Sequence, residues 1–165
     1  MTVLSAREAR ALLLGHEKGE TAVEVSPDLG LSRGRVEAGA DGAVFAEGTV
    51  AWAALREVAE SDGAFGVCPG GALEKVQVYS ERHRRVYILH PTTGAPTMLL
   101  NGFPMHRIKD VDPHEDTLRK VRTLLPVRGR ILDTCTCLGY SAIELARAGG
   151  DVTTIELDPL VLEVA

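Results

Sequence analysis

The run Ile131-Leu132-Asp133-Thr134-Cys135-Thr136-Cys137-Leu138-Gly139-Tyr140 constrains this chain more than any other feature. A short apolar stretch ends in an acid, passes through alternating small residues and reaches a glycine. Ser141 to Ala148 then has a helical pattern, and Val152 to Glu156 is a second strand-like stretch closing on an acid. Strand, turn, helix, strand is β-α-β order, and such units are parallel and right-handed. The loop after the first strand must turn sharply and let a ligand approach the backbone. The helix that follows offers free N–H groups to a carboxylate or phosphate. An acid ending the second strand can accept two hydrogen bonds from ribose hydroxyls, and Glu156 falls within the ~20-residue interval at which such an acid follows. Gly129 to Ala165 therefore reads as the opening of a nucleotide-type α/β domain.

Upstream, the chain is strand-rich. Ser5 and Glu8 give the S-x-x-E pattern of a capping box, which predicts a helix from Ala6 to about Leu14. Thr21 to Val25 alternates like a strand. Gly34 to Ala38 and Ala43 to Glu47 flank an Asp41-Gly42 turn, a hairpin signal. Trp52, Leu55, Val58 and Ala59 are spaced as the buried face of a helix over Ala51 to Glu60. Leu73 to Tyr79 and Arg85 to Leu89 read as paired strands across a polar turn, and Thr97 to Leu100 as another. From Val111 the pattern changes. Asp112, Pro113 and Glu115 start a helix whose apolar face holds Leu118, Val121, Leu124 and Leu125, with Pro126 as its stop. Arg130 to Asp133 reads as a short buried strand, and Pro159 to Ala165 as the start of another helix.

The D-x-C-x-C-x-G run resembles the first motif of class I S-adenosylmethionine-dependent methyltransferases, an acid followed by three alternating small residues that are usually glycines. Here the acid is Asp133 and the small positions are Cys135, Cys137 and Gly139. The wider run Pro96 to Leu100, then Gly102-Phe103-Pro104-Met105-His106-Arg107, then Asp133 to Thr136, looks like a group of predicted archaeal and bacterial methyltransferases near the spermidine-synthase branch. The resemblance implies that Asp133 and the loop of Cys135, Cys137 and Gly139 hold the methionine end of S-adenosylmethionine and that Glu156 holds its ribose; Thr134 is grouped with them as cofactor-binding, and Tyr140 packs against the cofactor or against the sheet. It implies methyl transfer by in-line displacement at the sulfonium methyl, where alignment alone is worth ~7–11 kcal/mol. Two usual glycines are cysteines, which adopt positive φ less freely. The NAD spacing G-x-G-x-x-G is absent, which favours a methyltransferase over a dehydrogenase.

The fold expectation is α/β. A strand-rich α+β domain over about residues 1–110 is followed by the first β-α-β of a Rossmann-like domain over 111–165, incomplete because further strands of such a domain are absent. Open strand edges and an uncovered apolar face would make the chain aggregate, oligomerise or require a missing C-terminal segment. His106 and Arg107, in a Gly/Pro-rich loop, are substrate-side candidates, with structural salt bridging as the alternative. Arg82 to Arg85 form a basic turn, solvated or in contact with RNA. Cys135 and Cys137 read as small packing residues, and no Cys or His partner sits at metal-ligand spacing, so no metal is expected. The methyl acceptor is left open between RNA and a small molecule. The formal net charge of −5 argues against binding nucleic acid by charge alone. Three cysteines, no signal-like N-terminus and no apolar run of ~20 residues point to a cytoplasmic protein away from membranes. Aminopropyl transfer from decarboxylated S-adenosylmethionine, and a non-catalytic or inactive fragment, are the competing readings.

Overall fold

The computed structural model describes every residue from Met1 to Ala165. The fold is mixed α/β, with three antiparallel sheets and one two-stranded parallel sheet. Two compact units divide at Val76/Gln77.

In the first unit, β1 (Val3–Leu4) leads into α1 (Ala6–Glu17). The Ser5 capping box is formed, with the Ser5 backbone N–H donating to Glu8 at 3.0 Å, and α1 runs three residues beyond Leu14. A meander follows: β2 (Ala22–Val25), β3 (Gly34–Ala38), β4 (Gly42–Phe45) and β5 (Gly48–Ala51), paired in chain order. Next comes α2 (Trp52–Glu60), then β6 (Phe65–Val67) and β7 (Leu73–Lys75). β6 lies between β1 and β7. Inward residues of the meander, Val23, Val25, Val36, Ala43, Phe45 and Val50, pack with Leu12 of α1 and Trp52, Leu55 and Val58 of α2 in one apolar core. Burial of this kind contributes roughly 25 cal/mol per Å² of apolar surface.

The second unit opens on a four-stranded antiparallel sheet: β8 (Gln77–Ser80), β9 (Arg85–His90), β10 (Thr97–Leu100) and β11 (Phe103–Pro104), in the order β11-β10-β9-β8. Then come α3 (Pro113–Arg122), β12 (Arg130–Asp133), α4 (Tyr140–Arg147), β13 (Asp151–Thr154) and the short α5 (Val161–Val164). β12 and β13 pair in parallel, Arg130 against Asp151 through Asp133 against Thr154.

The division at Val76 does not coincide with the boundary expected near residue 110. Leu73 to Tyr79 reads as one strand, yet β7 joins the first unit and β8 the second. Side chains tie the sheet to the later segment. The Tyr87 hydroxyl donates to Asp158 at 3.2 Å, the Tyr140 hydroxyl to the Pro96 carbonyl at 2.8 Å, and the Ala95 N–H to Asp112 at 2.7 Å.

Three local expectations are corrected. α3 ends at Arg122, and Leu124 and Leu125 lie beyond it, 61% and 51% exposed, so they form no part of its buried face. β12 is not buried, since Leu132 is 60% exposed; exposure alternates along the strand, with Ile131 half-buried on one face and Leu132 on an open one. Glu156 does not end β13 but follows it by two residues. No helix is long and apolar enough to cross a membrane.

Candidate functional site

The loop from Asp133 to Gly139 is built by β12 and β13 together. The parallel ladder continues past the strands, with Ile155 N–H donating to the Asp133 carbonyl at 2.9 Å and Thr136 N–H to the Ile155 carbonyl at 3.1 Å. The Thr154 hydroxyl donates to Asp133 Oδ2 at 2.6 Å. A hydroxyl has one proton, so in the 2.7 Å contact between Thr136 and Thr154 the donor is Thr136. This relay fixes the Asp133 carboxylate on its free side and the loop that follows.

The backbone then reverses. Cys137 takes a left-handed φ of +46° and Gly139 one of +75°. A non-glycine residue in that region costs roughly 1–2 kcal/mol, and two features hold Cys137 there. Its side chain is buried, and its N–H donates to Glu156 Oε2 at 3.1 Å. Glu156 Oε1 accepts the N–H of Leu157 at 2.8 Å. Glu156 thus braces the loop rather than lining the pocket in front of it. Gly139 is the N-cap of α4, and having no side chain it leaves the first-turn N–H groups uncapped.

In front of the loop is an open pocket of about 280 Å³. Asp133, Thr134, Cys135, Thr136 and Cys137 form one wall, and Tyr140 and Ser141 bring the start of α4 to it. Met105 and His106, just after β11, form a second wall. A third comes from α3 through Pro113, Asp116, Thr117 and Lys120. Of the residues singled out in the sequence, Asp133, Thr134, Cys135, Cys137, Tyr140 and His106 therefore meet. Gly139 and Glu156 shape the loop without lining the pocket, and Arg107 stays outside, 3.8 Å from Asp116. The α3 wall was not anticipated. Its signal was the spacing of Asp116 and Lys120, four apart on one helix face, which pair at 2.6 Å.

The Lys120 hydrogen bond, then the positive charges of Lys120 and Arg107, hold Asp116 below the usual carboxylate range. Burial, and secondarily Lys120, lowers the pKa of His106, so its ring is neutral near pH 7. Burial pushes the Cys137 thiol up to about 11 and raises Cys135 as well, with Glu156 and Asp133 adding to the latter. Both are thiols at neutral pH, which does not suit nucleophilic chemistry; Cys137 is a buried packing residue as expected, whereas Cys135 is exposed and is not. Burial also raises the Tyr140 phenol. Its ring lies near those of His106 and His114, with centroids 5.0 and 5.7 Å away, and His114 Nε2 pairs with Glu144 at 3.0 Å.

No family model matches the chain. Over 124 residues, 74% of the chain, it is 41% identical to an uncharacterized protein of Methanocaldococcus jannaschii. The chain spans 42% of the length of that relative.

Proposed function

We propose that the pocket binds S-adenosylmethionine and that the protein passes its methyl group to an acceptor. The observation that carries this reading is the convergence of three features on one cavity. They are a strand-end carboxylate held by a hydroxyl relay, a doubly left-handed loop, and an uncapped helix N-terminus. The parallel order β12-α4-β13 supports a Rossmann-like arrangement. An amino acid end fits this lining: Asp133 suits an ammonium group, and the first-turn N–H groups of α4 suit a carboxylate. The volume of about 280 Å³ is near the lower end of the ~300–1,000 Å³ of small-molecule sites and suits one end of such a ligand. Glu156 keeps lone pairs beyond the two backbone hydrogen bonds it accepts, and in this reading they serve the ribose hydroxyls.

When bound, the cofactor would supply an electrophilic methyl group on a sulfonium. The chain's own work is alignment. Cys137 and Gly139 shape the loop, Tyr140 anchors the wall through Pro96, and His106 faces the same space. The acceptor, RNA or a small molecule, would enter between the His106 wall and α3.

Calorimetric titration of the full chain with S-adenosylmethionine and with its decarboxylated form tests this. Tighter binding of the carboxylated form is expected, because only it uses the uncapped helix N-terminus. Preference for the decarboxylated form would favour aminopropyl transfer, and binding of neither would refute the cofactor assignment.

A further inference from the structure

Thr97 Oγ1 lies 2.9 Å from His106 Nδ1 and accepts the His106 backbone N–H at 3.3 Å. Thr97 is fully buried, so its hydroxyl must be satisfied within the protein. A hydroxyl has one proton and two lone pairs. The Met98 carbonyl, 3.4 Å away, can take the proton. The two lone pairs then meet the His106 backbone N–H and an Nδ1–H, and every site on the oxygen is used. In that arrangement the neutral ring carries its proton on Nδ1 and leaves Nε2 unprotonated; with the hydroxyl proton turned to Nδ1 instead, Nε2 would carry it, and the experiment below tells the two apart. With Nδ1 committed to Thr97, Nε2 is the nitrogen left to meet a ligand in the pocket that the ring lines.

We propose that His106, through Nε2, takes the proton of the methyl acceptor, and that the acceptor is therefore a protonated nucleophile, an N–H or O–H group. A thioether or tertiary amine would need no such group. The proposal rests on the cofactor reading above. As the acceptor attacks, its electron pair forms the bond to the methyl carbon. Its proton moves to Nε2, and the pair of the broken methyl–sulfur bond stays on sulfur. One positive charge is present before and after, first as sulfonium and then as imidazolium. Nδ1–H donates to Thr97 throughout, so the ring need not turn.

The groups around the ring favour this role. The Lys120 charge acts on the ring and Tyr140 of α4 lies 5.0 Å from it, Asp116 of α3 and Asp133, Cys135 and Cys137 of the loop line the same pocket, and Arg107 is its chain neighbour. Burial and Lys120 keep the ring neutral and able to accept a proton near pH 7.

Nitrogen-15 NMR of the full chain tests the proposal without knowledge of the acceptor, with His106→Gln identifying the ring signals. The neutral ring is expected as Nδ1–H. S-adenosylmethionine and S-adenosylhomocysteine differ by one charge on sulfur. The His106 pKa should lie about one unit lower with the former, the effect of a charge within about 12 Å at an effective dielectric of about 20. An Nε2–H tautomer, or the same pKa in both complexes, would overturn the base role while leaving the cofactor reading intact. A folded chain that binds neither compound by calorimetry would overturn the cofactor reading and this proposal with it.

Discussion

Replacing Gly139 by alanine isolates the contribution of loop geometry. Gly139 has a φ of +75°, and a Cβ built there meets only the Ile143 side chain, at 3.4 Å and 3.8 Å. The nearer contact is ordinary van der Waals distance, so no clash contributes. What remains is the left-handed backbone, roughly 1–2 kcal/mol for a residue with a Cβ. Against this, alanine restricts the unfolded chain and returns about 0.4–1 kcal/mol. The second unit should therefore lose a net ~0–1.6 kcal/mol, with a middle value of about 0.8 kcal/mol. Urea unfolding followed by a probe in that unit would show a lower midpoint with an unchanged slope. Gly34→Ala is the control in the first unit. No positive φ is recorded there and a Cβ meets nothing within 4 Å, so the midpoint should stay or rise. A midpoint raised for Gly139→Ala would show that the turn is not held left-handed at this position.

Other expectations concern the core, acid stability and the relay. Leu55 is fully buried and Leu132 is 60% exposed. Leu55→Ala should cost about 2–5 kcal/mol and Leu132→Ala less than ~0.5 kcal/mol, compared by denaturant midpoints. The Ser80 hydrogen bond, with further ones from Leu160 N–H and Tyr87, holds Asp158 below its usual 3.8. Its folded pKa is thus below the unfolded value. The stabilisation is full above the unfolded value and is lost as pH falls through the folded one. Asp158→Asn should flatten the dependence of the urea midpoint on pH between about 5 and 2; an unchanged slope would count against the assignment. Thr154→Val removes the 2.6 Å donor to Asp133. It should weaken S-adenosylmethionine by roughly tenfold in calorimetry, near the net worth of a hydrogen bond to a charged group, with little change in the circular dichroism spectrum.

Elements with their own local chemistry were legible in the sequence. Ser5 and Glu8 mark the start of α1, Asp41-Gly42 the hairpin, and Asp112-Pro113 the start of α3, because caps and turns depend on residues close in sequence. The separation of β7 from β8 was not, since no glycine, proline or other turn residue interrupts Leu73 to Tyr79 and only tertiary pairing divides it. The exposure of Leu132 was hidden for a related reason. Strand propensity reports a fit to a sheet, not how many neighbours the sheet has. In the pocket, the Asp133-to-Gly139 run indicated the loop. The pairing of Thr97 with His106 and the α3 wall came from contacts between separate elements. Glu156 shows the limit of spacing as a guide. Its interval from the loop suggests a ribose ligand, whereas its two backbone hydrogen bonds show that it also holds Cys137 in its turn.

The most direct test of the central claim is S-adenosylmethionine binding to the full chain and to Asp133→Ala, both shown to be folded. The account expects saturable binding at one site per chain, weakened at least roughly tenfold in the variant, as for loss of a charged hydrogen-bonding partner. Equal affinity in both proteins, or no binding by the folded wild-type chain, would contradict it.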